Sequence, residues 1–168
     1  MISYGIVEGP LGLMLLGATA RGLCWLGLGD DGAALLAELQ RDYPRASVAP
    51  DERALREAAD AVLAYLAGQG PCAELPLELP GTPFQRRVWS ELGAIPYGET
   101  RSYGTLAAAL GLGPGAARAV GAACGANRVS LVVPCHRAVG SDGKLHGFRW
   151  GLQRKAALLA MEHTFIHR

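Results

Sequence analysis

Cysteine is scarce and unpaired in this chain. The four cysteines among 168 residues, Cys24, Cys72, Cys124 and Cys135, show no CxxC pair and no regular spacing. That argues against a disulfide framework and a zinc knuckle, so free thiols, a reducing cytoplasmic setting and no metal or other cofactor are expected. No apolar run is long enough to cross a bilayer, and no membrane association is expected. The opening MISYGIVEGP lacks both the basic start and the apolar block of a secretory signal. What is abundant is apolar: 50% of the residues are hydrophobic, ample for one ordinary domain or two small ones.

The net charge of +1 conceals a division. Up to Pro80 there are five basic and eleven acidic residues, a balance of −6; from Gly81 onward there are eleven basic and four acidic, a balance of +7. One basic half in a neutral chain suggests a polyanion partner for that half, against the plainer reading of uneven solvated charge. The proline-punctuated PCAELPLELPG lies where the sign changes. We therefore place a domain boundary there, giving domains 1–80 and 81–168.

In the first part, ISYGIVE, LMLLGAT and LCWLGLG read as a strand meander separated by GPLG and ARG turns. Two helices follow, one over DDGAALLAELQRDYP and one over DERALREAADAVLAYLAGQG, the latter with acidic caps and with Leu55, Ala59, Val62 and Leu66 on one face. In the second part, Thr82, Pro83 and Gln85 spell a capped helix start, and Phe84, Val88, Trp89 and Leu92 form its apolar stripe. Two short helices then flank a Gly-Leu-Gly-Pro-Gly break, the first capped by Ser102, in the outline of a helix-turn-helix. The second of them is nearly bare: Ala116, Ala117, Ala119, Gly121, Ala122 and Ala123 surround one long side chain, Arg118. A major-groove helix normally carries long polar side chains. This one suits a narrow groove or a close-packed interior, and the pattern alone leaves both open.

After Asn127 the stretch RVSLVVP reads as a buried strand that delivers Cys135 at its end. A free cysteine is usually a small core residue, a reading that serves for Cys24 and Cys124, while Cys72 falls in the linker. Cys135 differs because His136 and Arg137 follow it, and imidazole or guanidinium nearby favours the nucleophilic thiolate. Of the two acids beyond the thiol, Asp142 falls in a turn. Glu162, on the helix GLQRKAALLAMEH, is the better group to orient the imidazole. Lys155 on that helix is expected to be exposed.

The tetrapeptide PCHR, with GTPFQRRVWSELGAIPYGETRSYGTLA and AARAVGAACGANR upstream and GFRWGLQRKAALLAME downstream, resembles the O6-alkylguanine-DNA alkyltransferases, particularly the catalytic half of the bacterial adaptive-response type. The likeness is dense from Gly81 to about His163 and thinner before Pro80. It implies an α/β ribonuclease-H-like N-terminal domain and a mainly α C-terminal domain with a winged or helix-turn-helix DNA-binding motif. It implies direct-reversal repair, in which Cys135 takes the alkyl group from O6-methylguanine, and also O4-methylthymine, once, in a base flipped through the minor groove of double-stranded DNA. His136 would take the thiol proton through a water, Glu162 would hold the imidazole, Asn127 would brace the hinge before the cysteine, and Tyr103 would press on the phosphate and help protonate the leaving base. Arg118 would fill the vacated stack, with Ala116, Ala117, Ala119, Ala122, Ser102 and Arg137 on the DNA side. Pro134 and the turn from Val139 through Phe148, Arg149 and Trp150 would line the base pocket. Tryptophan at 150 is expected to narrow that pocket and favour methyl over benzyl adducts. The protein is expected to act as a monomer, and, lacking a cysteine-rich metal-binding segment, as a repair protein without a transcriptional role.

Two other classes share parts of this pattern. A cysteine hydrolase would use Cys135 and His136 but turn over. A lesion-binding module would bind the same DNA and remain unmodified.

Overall fold

Three strands open the chain because apolar residues run through them almost unbroken: Ile2–Gly9 (β1), Gly12–Thr19 (β2) and Gly22–Gly29 (β3). The computed structural model describes residues 1–167 and divides the chain into two units, Met1–Leu79 and Pro80–Arg168. In the first unit β1 pairs antiparallel with β2, and β2 with β3. A short fourth strand, Val48–Pro50 (β4), runs parallel to β1 and completes the order β3-β2-β1-β4. The sequence pattern missed β4, since three residues ending in proline carry no alternation to detect.

Two helices accompany this sheet. Gly32–Asp42 (α1) is capped by Asp31, whose carboxylate accepts from the amides of Ala33 and Ala34, and it buries Leu35 and Leu39. Arg56–Leu66 (α2) buries Ala59, Val62, Tyr65 and Leu66. Its expected acidic cap is absent: Leu55 occupies the N-cap position, and Asp51 instead accepts from Ala54 in the turn before the helix. The segment read as a linker is a clasp on the sheet edge. Leu23 donates to Pro76 O at 2.8 Å and Glu78 donates to Leu23 O at 2.9 Å. The close approach requires glycine at 22, where φ is +147° and a Cβ would lie 2.5 Å from Pro76 O.

The second unit is mainly helical. Pro83–Gly93 (α3) starts at a complete capping box, with Thr82 Oγ1 accepting from Gln85 N and Gln85 Oε1 accepting from Thr82 N. Its stripe buries Val88, Trp89 and Leu92, and the Trp89 indole donates to Ala123 O, so Trp89 is core. Tyr103–Ala109 (α4) and Ala117–Gly125 (α5) are joined by a 3₁₀ turn at Pro114–Ala116, and the helix pair bends by 119°. Arg101–Ser102 (β5) and Ala138–Val139 (β6) form a two-stranded parallel sheet, and Leu152–Ile166 (α6) closes the unit. Among the described residues no single helix is long and apolar enough to cross a membrane.

The expected strand RVSLVVP is not one. Val129, Ser130, Leu131 and Val133 are buried, but the only pairing is an isolated bridge between Ser130 and Val133. Leu131 takes a left-handed backbone with φ of +72°, which no strand residue adopts. The Asn127 side chain replaces the missing ladder, donating to Val133 O at 2.9 Å and accepting from Val129 N at 2.9 Å. The β-branched run signalled burial rather than pairing.

Replacing Thr82 with alanine removes the cap of α3 and should destabilise the protein by about 1 kcal/mol. Urea unfolding of the variant checks this, and an unchanged midpoint would contradict the assignment.

Candidate alkyl-acceptor site

The chain turns sharply at Pro134, and Cys135, His136 and Arg137 form one 3₁₀ turn. On a strand, neighbours would face opposite sides; the turn and α6 instead gather these side chains around one carboxylate. Glu162 is fully buried on α6. Its Oε2 lies 2.7 Å from His136 Nε2, and Arg137 grips both oxygens, Nε to Oε1 at 2.8 Å and Nη2 to Oε2 at 3.1 Å. The amide of Gly98 adds a fourth donor, to Oε1 at 3.0 Å. Glycine is required there, since φ is +85° and a Cβ would collide with Ile166.

This arrangement sets the histidine tautomer. A carboxylate only accepts, so Nε2 carries the hydrogen and Nδ1 is the basic nitrogen of the neutral ring. Burial pushes the His136 pKa down, opposed by Glu162, while the Arg137 and Lys155 charges lower it further. A neutral imidazole able to receive one proton is the favoured resting form.

Cys135 borders a cavity of about 340 Å³ whose wall also includes Tyr103, Cys124, Asn127, Ser130, Phe148 and Arg149. Burial pushes the thiol pKa up. Hydrogen bonding by Asn127, the Lys155 charge, the residue's own amide and Ser130 act in the opposite direction. A protonated thiol at rest, surrounded by groups that favour its anion, can yield a nucleophile when a base removes the proton.

Lys155 corrects the expectation of an exposed lysine. It is fully buried, and its ammonium donates to the carbonyls of Ala138 at 2.7 Å, His146 at 2.9 Å and Gly147 at 3.1 Å. Burial lowers its pKa and the thiols of Cys135 and Cys124 raise it, which places its charge in electrostatic reach of the sulfur. The helical spacing of Lys155, Leu158 and Glu162 puts them on the buried face of α6.

Other expected site residues fall in three groups. Tyr103, Asn127, Phe148 and Arg149 line the cavity with Cys135. Burial, followed by the neighbouring thiols of Cys124 and Cys135, pushes the Tyr103 pKa up to about 12, so its hydroxyl keeps its proton, which it donates to His146 O at 3.0 Å. On α5, Arg118, Ala119 and Ala122 are exposed and Ala117 is half-buried, as is Ala116 in the 3₁₀ turn before it. A second, more open cavity of about 620 Å³ is bordered by Arg118 and shares Tyr103, Gly121 and Gly147 with the first, linking the bare helix to the sulfur.

The third group requires correction. Arg137 is buried and committed to Glu162 and to Ile95 O, so it is no surface cation for DNA. Ser102 keeps its place near the surface and also caps α4, accepting from Thr105 N at 3.0 Å and donating to Thr105 Oγ1 at 2.9 Å. Pro134, Val139 and Trp150 are buried behind the cavity wall and do not border it. Trp150 donates its indole hydrogen to Ser130 Oγ at 2.8 Å, with the Arg149 guanidinium 4.8 Å above its ring, so it supports the wall rather than narrowing the space. Sequence reasoning missed Ser130 and Cys124 as lining residues. Burial, then Cys135, pushes the Cys124 pKa up to about 12, which keeps it a protonated bystander.

Fold and site together describe a two-domain protein that places a cysteine on a cavity wall beside a helix pair. Residues 2–79 match the family described as 6-O-methylguanine DNA methyltransferase, ribonuclease-like domain, and residues 83–164 match 6-O-methylguanine DNA methyltransferase, DNA binding domain. The chain belongs to this family. The bifunctional transcriptional activator/DNA repair enzyme Ada of Escherichia coli is 44% identical over 161 residues, which cover 96% of this chain and 45% of that protein. The chain thus spans less than half the length of this relative. The methylated-DNA–protein-cysteine methyltransferase of Mycolicibacterium paratuberculosis is 44% identical over 96% of this chain and 93% of its own length. The crystal structure of a Mycobacterium tuberculosis O6-methylguanine methyltransferase superposes with a TM-score of 0.83 at 40% identity, over 98% of this chain and 94% of that one. The structure of Mycobacterium tuberculosis OGT in complex with DNA gives 0.84 at 40% identity, over 97% and 94%.

Replacing Glu162 with alanine strands Arg137 and His136 in the interior and should cost about 3–5 kcal/mol. Urea unfolding measures this, and a stability close to wild type would show that the carboxylate is not the anchor described.

Proposed function

We propose that this protein repairs alkylated DNA by direct reversal, moving the methyl group of O6-methylguanine onto its own Cys135. The observation that carries the reading is the Cys135 sulfur on a cavity wall, next in the chain to a neutral His136 oriented by buried Glu162 and within reach of the Lys155 charge. O4-methylthymine presents a similar alkylated oxygen and is a second proposed substrate. The protein acts as a monomer, in the cytoplasm, on double-stranded DNA.

On this reading the N-terminal unit has the ribonuclease-H-like topology, its order β3-β2-β1-β4 combining an antiparallel meander with a parallel fourth strand. The α4–α5 pair is the helix-turn-helix, with β5 and β6 as its accompanying sheet. The exposed face of Arg118, Ala119 and Ala122 enters the minor groove, where its smoothness permits close approach. Arg118 fills the stack after the damaged base swings out, offsetting an unstacking cost of roughly a few kcal/mol. The basic unit supplies affinity for phosphates in any sequence context.

Transfer proceeds as a displacement at carbon. His136 Nδ1 receives the thiol proton through a water, and the thiolate forms a bond to the methyl carbon. The bond from that carbon to the base oxygen breaks, and its electron pair leaves with the base. Tyr103, still protonated, supplies a proton to the departing base. A thioether on Cys135 is a poor leaving group, so each protein acts once.

With excess methylated duplex, one methyl per protein should appear on the Cys135 peptide by mass spectrometry. More than one released methyl per chain would favour a hydrolase, and an unmodified protein that still binds would favour a lesion-binding module.

Size selection is assigned to the wall residues Phe148 and Arg149. Methyl transfer should outpace benzyl transfer in wild type, and Arg149→Ala should narrow that ratio. Rates measured on paired oligonucleotides decide this; an unaltered ratio would remove Arg149 from the selectivity determinants.

A further inference from the structure

Ser130 is buried to 1% exposure and shares the cavity wall with Cys135. Its hydroxyl lies 2.8 Å from the Trp150 indole nitrogen. An indole N–H can only donate, so Ser130 Oγ accepts in that contact. The serine's own hydrogen then requires an acceptor, and the Cys135 side chain stands on the same cavity wall. We infer that Ser130 is a thiolate-stabilising residue of this site, its hydroxyl oriented by the Trp150 indole so that it donates a hydrogen bond to the Cys135 sulfur. The inference rests on Cys135 being the alkyl acceptor.

The surroundings of the sulfur support this role. Asn127 spends one amide hydrogen on Val133 O and accepts from Val129 N, which leaves its second hydrogen for the thiol. Hydrogen bonds involving Asn127 and Ser130 both work against the upward push of burial on Cys135. Acceptance from the indole also polarises the O–H and strengthens its donation. Lys155 supplies charge, Asn127 one directed donor and Ser130 a second. Trp150 thereby acquires a function that its buried position behind the wall would otherwise obscure: it holds a donor in register with the reacting atom.

The test uses the full chain and follows iodoacetamide labelling of the Cys135 peptide against pH by mass spectrometry, a readout independent of DNA. Ser130→Ala should move the labelling midpoint up by about one pH unit, the worth of one hydrogen bond to an ionised sulfur. Ser130→Thr, which keeps the hydroxyl, should restore it, and Trp150→Phe should give a smaller upward shift. Methyl transfer at neutral pH should fall about tenfold in Ser130→Ala, with DNA affinity unchanged. A folded Ser130→Ala protein whose profile overlays wild type would overturn the proposal. If that variant does not fold, Trp150→Phe carries the test, and an unshifted profile there overturns it equally. Should wild type label normally yet never gain a methyl from DNA, the functional reading fails while the labelling shifts still decide the role of Ser130.

Discussion

One buried carboxylate organises the C-terminal unit of this molecule. Glu162 has no solvent exposure, and it accepts from Arg137, His136 and the Gly98 amide. An ion in that position would be unfavourable by several kcal/mol without such partners, so their placement is not optional. The partners bring two other pieces of chain to α6: the turn carrying the sulfur and the loop after α3. The carboxylate also determines which imidazole nitrogen is basic. Folding and chemistry therefore share an anchor, and the sulfur inherits its position from it.

The charges divide cleanly around this anchor. Arg137 neutralises Glu162, which frees Lys155 to serve the sulfur and the carbonyls of Ala138, His146 and Gly147. With both cations committed inside, the surface cation left on the bare helix is Arg118. The basic excess read from composition thus splits into an interior part, which pairs Glu162 and acts on a thiol, and an exterior part at the surface.

Much of the fold was legible because its signals are local. The strands β1 to β3, the capping box at Thr82 and the Gly-Pro break before α5 each follow from a few adjacent residues. The site was legible in its principals, Cys135, His136 and Glu162, because proximity in sequence and a resemblance both pointed there. Failures came where burial and polarity part company. Lysine is usually exposed, yet the buried face of α6 is built from Lys155, Leu158 and Glu162. The RVSLVVP run looked like a strand because β-branched residues favour burial; an asparagine side chain and a left-handed leucine supplied the turn that no periodicity reveals. The resemblance puts Arg137 on the DNA side, whereas its partner lies 25 positions downstream. The size of Trp150 suggests obstruction, and only its indole contact with Ser130 shows which way it works.

The outward face of α5 has an unusual standing among surfaces. Ala119, Ala122 and Gly125 touch solvent, so nothing inside the protein would object to longer residues there. Gly125 would meet no atom within 4 Å if it gained a Cβ. On the proposed reading the objection would come from a duplex that is present only briefly. Stability measurements on enlarged variants would therefore report a permissive exterior, while selection for repair would treat the same positions as strictly as the inside of a core.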